Sequence, residues 1–203
     1  MKSPLFIYVH GFNSSPQSMK AQLFLRYMQS QGCGDQVEIP DLSHWPAEAM
    51  AQLKKLVEIN ADRPVILLGS SLGGYYSTWL TEHYSNVSTV LINPSVRPFE
   101  LLPQYLGRNE NLYSGESYML TETHLEQLLA LHCEKVARPE AYLLLTQTGD
   151  ETLDYREAVE KFSESPQFIQ PGGSHGFEQF ETLIPSILAF AQGQIKLPPA
   201  TPI

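Results

Sequence analysis

Apolar and polar positions along the chain alternate between two rhythms. Short, mostly apolar runs recur at 5–9 (LFIYV), 36–40 (QVEIP), 65–69 (VILLG), 89–93 (TVLIN), 141–147 (AYLLLTQ) and 167–170 (QFIQ). Between them lie stretches of helical period at 18–29, 46–59, 72–84, 155–162 and 177–191. Runs that are apolar throughout, rather than every second residue, suit strands buried on both faces, and strands alternating with helices suit a parallel sheet. The expectation is a single α/β domain over 1–203, with about six mainly parallel strands and helices on both faces. One segment breaks the rhythm. Residues 95–138, after the fourth strand, are far longer than an ordinary connection. They begin polar and aromatic and end helical, with Leu125, Leu128, Leu129 and Leu131. The segment reads as an insertion, either a cap or lid over a site or plain scaffold. The proline-rich tail at 196–203 is expected to fray.

Composition narrows the class without naming a chemistry. The 203 residues suit one domain with a substantial core. No run of eighteen apolar residues exists to span a bilayer. The opening, MKSPLFIYVHGFNSSP, has a single lysine before an apolar run too short for a signal-peptide core, so a cytoplasmic protein is expected. Cys33 and Cys133 lack metal-ligand spacing and read as reduced thiols; no metal and no cofactor is implied. With 13 Lys and Arg against 22 Asp and Glu, a net charge of −9 and no basic cluster, nucleic acid is a poor partner. Oligomeric state is left open.

The stretch GSSLGG, at the junction of the third strand and a helix, carries the first chemical signal. It fits the strand-to-helix serine turn G-x-S-x-G with Ser71 at its centre, where glycines relieve collisions between strand and helix. Centring on Ser70 instead puts Leu68 and Leu72 where glycines belong. A serine hydroxyl needs a base, and the base needs an orienting acid. In this turn type they follow in the order serine, acid, histidine. His175, in the glycine-rich QPGGSHGFEQF after the sixth strand, is the candidate base. His44, His83, His124 and His132 lie in helical or connecting segments and read as surface or packing residues, and His10 as shaping its own loop. For the acid, the fifth strand runs into TGDETLD; Asp150 is the candidate, whereas Asp154 more naturally caps the helix beginning near Tyr155. The loop VHGFNSSP after the first strand offers the backbone N–H of Phe12, which with that of Leu72 would form an oxyanion hole. In the long insertion, Arg97, Arg108 and Tyr113 are candidate substrate-binding residues.

Together, HGF, GSSLGG, GDETLD and GGSHGF resemble the α/β-hydrolase superfamily across nearly the whole chain. The longer stretches VHGFNSSP, GSSLGGYYSTWL, NPSVRPFELL, YLGRNENLYSG and QTGDETLDYREAV are similar to the small bacterial esterases of the YqiA type, with no departure at the catalytic positions. The resemblance implies a compact hydrolase lacking the first two strands of larger relatives. Its substrate would be a small carboxylic ester or acyl thioester, cleaved without a cofactor through an acyl-enzyme. Two other readings stand beside it: a non-catalytic binding protein on the same fold, and a lyase or perhydrolase using the same three residues.

Overall fold

The computed structural model describes residues 2–203. Its elements run in the order β1 (Leu5–Val9), α1 (Met19–Ser30), β2 (Val37–Glu38), α2 (Pro46–Ile59), β3 (Val65–Ser70), α3 (Leu72–His83), β4 (Val87–Ile92), α4 (Pro98–Leu101), β5 (Gly107–Glu110), β6 (Ser117–Leu120), α5 (Glu122–Leu129), β7 (Tyr142–Gln147), α6 (Tyr155–Lys161), β8 (Gln167–Gln170) and α7 (Ile184–Phe190). Six strands form one sheet in the order β2-β1-β3-β4-β7-β8, with every pairing parallel. The chain goes from β1 outward to β2 and returns to β3 on the other side of β1. The order therefore reverses between β1 and β3, and at such a switch a crevice opens beyond the strands' carboxyl ends.

Alternate residues along each strand point to opposite faces of the sheet, and the two largest core clusters lie one on each face, with a third around Leu91, Tyr142, Leu144 and Phe162. Leu5, Ile7, Val9, Val65 and Leu67 pack on Met50, Leu53 and Val57 of α2 and on Tyr76 and Leu80 of α3. Phe6, Tyr8, Ile66, Leu68, Val90 and Ile92 pack on Phe24 and Met28 of α1 and on Ile184, Ile187 and Phe190 of α7. Helix α3 is buried along most of its length yet carries Ser77, Thr78 and Thr81. Each of these hydroxyls donates to the carbonyl four residues back, so burial leaves none of them unpaired. No helix among the described residues is long and apolar enough to cross a membrane.

Several boundaries differ from the sequence expectation. The expected helix 177–191 is a 3₁₀ turn at Phe180–Leu183 followed by the short α7. Phe177 and Gln179 have φ of 61° and 57°, which no helix accommodates, and Pro185 fits only a helix's first turn. Residues 95–138 contain a two-stranded antiparallel hairpin, β5–β6, besides the expected helix. The tail does not fray as expected: Ile203 N–H donates to Pro171 O at 3.1 Å. Gly172, at φ 87°, makes room there, since a Cβ on it would lie 2.1 Å from Ile203 O.

The tightest backbone approach is at the switch. A Cβ on Gly73 would lie 1.9 Å from Val9 O, and nothing but backbone is there to yield. Gly73→Ala is expected to lower unfolding free energy by more than about 3 kcal/mol. Urea denaturation checks this, and a loss under about 1 kcal/mol would show that β1 and α3 can separate at this point.

Candidate active site

Ser71 sits between the last residue of β3 and the first of α3, with φ 54° and ψ −120°. An L-residue there is strained by on the order of 1–3 kcal/mol and persists only where its surroundings over-determine it. They do: Ser71 N–H donates to Ile92 O at 3.1 Å, and Ser71 O accepts from Gly74 N at 2.9 Å and Ser95 N at 3.0 Å. The flanking glycines are steric necessities. A Cβ on Gly69 would meet Ser77 Oγ at 2.6 Å and Gly74 Cα at 2.7 Å, and one on Gly74 would meet Pro94 at 2.6 Å.

His175 reaches Ser71 from the loop after β8. Its Nε2 lies 3.1 Å from Ser71 Oγ, and its Nδ1 lies 2.9 Å from Asp150 Oδ2. Asp150 follows β7, with its side chain 1% exposed, and Oδ1 also accepts from Thr152 N and Leu153 N. A carboxylate surrounded by N–H donors can only accept, so Nδ1 carries the imidazole proton and Nε2 is left to accept from the serine hydroxyl. Asp154 is engaged elsewhere: it caps α6 through Arg156 N and pairs with the Arg156 guanidinium. The loops approach closely because Gly149 has no side chain; a Cβ there would lie 2.3 Å from Gly173 O.

Four residues hold this geometry in roles the sequence does not announce; Glu151, offered beside Asp150 and Asp154 as an acid after the fifth strand, is one of them. Asn93 ends the β4 run at φ 40°, and its side chain continues the sheet's pairing where the backbone turns away. Its Oδ1 accepts from Gln147 N at 2.9 Å, while Nδ2 donates to the carbonyls of Ser174 and His175. Gln147, fully buried at the end of β7, accepts on Oε1 from Ser174 N and Glu178 N. Glu151 accepts from His175 N at 2.9 Å, which holds its carboxyl below the usual range. Lys20 donates to Gly176 O at 2.7 Å. Each bond spans a large sequence separation, so no local pattern announces it.

The loop after β1 closes the other side. His10 Nε2 accepts from Leu42 N at 3.2 Å and Nδ1 lies 3.1 Å from Gly11 O, a neutral tautomer that burial favours by lowering the pKa. His10 thus shapes its own loop. Gly11 lies directly on the serine, since a Cβ there would be 3.1 Å from Ser71 Cβ. Leu72, at the first position of α3, has no intrahelical acceptor for its N–H. Phe12 and Leu72 share with Ser71 and His175 a cavity of about 190 Å³, whose apolar wall includes Leu101, Leu102, Tyr105 and Leu153.

Of the residues expected to bind substrate, the structure brings one to the serine. Tyr113 lines a second cavity containing Ser71 and His175. Arg97 turns instead to Glu157 at 2.9 Å and Glu100 at 3.5 Å. Arg108 extends from β5 to Ser117 Oγ. Neither arginine lines a cavity with Ser71; Arg97 is held by Glu157 of α6 and Glu100, and Arg108 by Ser117.

A parallel sheet with a serine at the β3–α3 turn, a carboxylate after β7 and a histidine after β8 is the architecture of the α/β-hydrolase fold. Solved structures share that fold: mouse alpha/beta hydrolase domain-containing protein 10 is 17% identical with a TM-score of 0.69, covering 94% of this chain and 89% of its own. Est1E from Butyrivibrio proteoclasticus, solved with ferulic acid bound, is 14% identical with a TM-score of 0.66, covering 95% and 90%. Within this class, the chain belongs to the Uncharacterised protein family (UPF0227), which matches residues 5–192. The UPF0227 protein YcfP of Escherichia coli O9:H4 (strain HS) is 23% identical over 168 residues, 81% of this chain and 91% of the relative.

Asn93→Ala would strand the buried Gln147 N–H and free two carbonyls of the histidine loop. The expected cost is about 2–3 kcal/mol, with amide exchange accelerated at 174–178. Hydrogen exchange by NMR checks this; unchanged protection there would mean the loop is held without Asn93.

Proposed function

We propose that this protein is a serine hydrolase that cleaves small carboxylic esters or acyl thioesters through an acyl-enzyme on Ser71. The observation that carries the reading is the unbroken hydrogen-bonded chain from Ser71 Oγ through His175 to Asp150, set on a strained turn that holds the serine at the crevice. Asp150 keeps the imidazole proton on Nδ1. Nε2 then accepts the serine proton as Oγ attacks the carbonyl carbon. The oxygen that gains charge is stabilised by the N–H groups of Phe12 and Leu72. His175 passes the proton to the departing oxygen or sulfur, the acyl group stays on Ser71, and a water activated by Nε2 releases the acid.

The cavity walled by Leu101, Leu102 and Tyr105 takes the acyl chain. At about 190 Å³ it favours short acyl groups. Because α4 and the turn after it supply much of that wall, residues 95–138 act as a cap over the acyl chain. Tyr113 stands at the opposite side of the serine, and the two arginines brace the cap through Glu157 and Ser117.

Ser71→Ala is expected to lower kcat/KM for 4-nitrophenyl butyrate by at least about 10⁴-fold with the fold intact by circular dichroism. A fluorophosphonate should label Ser71 alone. Asp150→Asn should be nearly as damaging, because it removes the group that fixes the imidazole tautomer, whereas Asp154→Asn should stay close to wild type. A label on Ser70, or a crippled Asp154→Asn beside an active Asp150→Asn, would overturn the assignment.

A further inference from the structure

Ser71 and His175 face two cavities, and a lysine lines only one of them. One is the apolar cavity walled by Leu101, Leu102 and Tyr105. The other, about 270 Å³, is bounded by Ser71 and His175 together with Lys20, Met19, Leu112 and Tyr113. Lys20 enters it from the first turn of α1, half-buried, and its ammonium donates to Gly176 O at 2.7 Å. An ammonium has three N–H donors, and this carbonyl takes one. Among the described residues, no carboxylate lies within ion-pair distance of Lys20. Asp150 acts on it from further away but is already held by His175 and two backbone N–H groups. A cation drawn out of water without a counter-ion is costly to keep, and an arriving anion relieves that cost. The rim beside it is apolar: Met19 is 62% and Leu112 85% exposed. A half-buried cation in a cavity with an apolar rim suits a molecule with a carbon skeleton and one negative end.

We propose that Lys20 is a specificity-determining residue that binds a carboxylate on the leaving group of the ester, whose skeleton lies along Met19, Leu112 and Tyr113. The proposal rests on the Ser71 reading above and assigns the apolar cavity to the acyl chain and this one to the alcohol. The chemistry balances without a further reactant. The ester C–O bond breaks as Ser71 Oγ bonds to the carbonyl carbon, and the serine proton passes through His175 Nε2 to the leaving oxygen. The carboxylate-bearing alcohol departs, leaving the acyl group for water.

The titratable groups around Lys20 are Asp150 after β7, His175 after β8, Tyr8 on β1, His10 in the loop after β1 and Tyr113 in the hairpin turn. Burial pushes the Tyr8 phenol up, keeping it neutral, and lowers Lys20 to about 8. Lys20 is therefore charged at neutral pH, and the attraction fades as pH rises through about 8.

The test compares 4-butanoyloxybenzoate with 4-butanoyloxybenzamide, which share an acyl group and differ in the charge at the far end of the leaving group. Their ratio of kcat/KM cancels whatever a variant does to both. Wild type is expected to favour the carboxylate by about tenfold, the worth of one charge-assisted hydrogen bond. Lys20→Met should abolish the preference, Lys20→Arg should retain most of it, and in wild type alone the ratio should fall above about pH 8. A ratio near one in wild type, or one that Lys20→Met leaves unchanged, would overturn the proposal and leave Lys20 as a brace for the Gly176 carbonyl. Failure of the Ser71 reading shows separately, as a Ser71 that fluorophosphonate does not label. If Ser71 is labelled but neither ester turns over, protection decides. 4-Hydroxybenzoate should slow labelling more than 4-hydroxybenzamide in wild type and lose that advantage in Lys20→Met; equal protection in wild type would overturn the proposal.

Discussion

The nearness of α3's first turn to the end of β1 governs the carboxyl edge of this sheet. Gly73 and Val9 O are in such close contact that no side chain fits between them. That contact forces β3 to turn into α3 within one residue, and Ser71 takes the strained positive-φ conformation that so abrupt a turn requires. It also lays Gly11 against the serine side chain, so the loop after β1 arrives beside the hydroxyl. Nucleophile geometry and the proposed oxyanion site thus follow from a single packing constraint that demands glycine at 73, while glycine at 69 and 74 clears Ser77 and Pro94.

The histidine side of the site has a different basis. No helix or strand holds His175; side-chain amides and a carboxylate do. Asn93 and Gln147 extend the pairing of β4 and β7 beyond the ends of their strands and deliver it to the carbonyls and N–H groups of 174–178, and Glu151 takes the His175 N–H. A loop organised by buried hydrogen bonds is rigid when all are made and costly when one is lost. Lys20 differs from these groups in that one hydrogen bond to Gly176 leaves most of its donors available.

Much of this was legible because local chemistry decided it. The ends of α2 coincide with expectation, since Pro46 opens a helix's first turn and a long amphipathic period follows it. The capping of α6 by Asp154 was readable for the same reason. The β5–β6 hairpin was not, because its strands are largely exposed and carry no apolar alternation. Nor was the end of the chain, where a proline-rich run carries no pattern and Ile203 pairs with Pro171. Asn93 and Gln147 read as ordinary strand ends, since their side-chain partners lie 23 to 82 residues away. Arg97 was misleading in the opposite sense: a guanidinium in a long insertion suggested a ligand, yet Glu157, sixty residues on in another element, is its partner.

The reading as a whole requires that the acyl group of an ester rest covalently on Ser71 during turnover. Acid quenching in the first turnovers of 4-nitrophenyl butyrate, followed by intact-protein and peptide mass spectrometry, observes that species directly. One butanoyl group on Ser71, rising and then decaying as substrate is exhausted, is the expected result. A butanoyl group on another residue, or protein unmodified at every quench time while product accumulates, would contradict it.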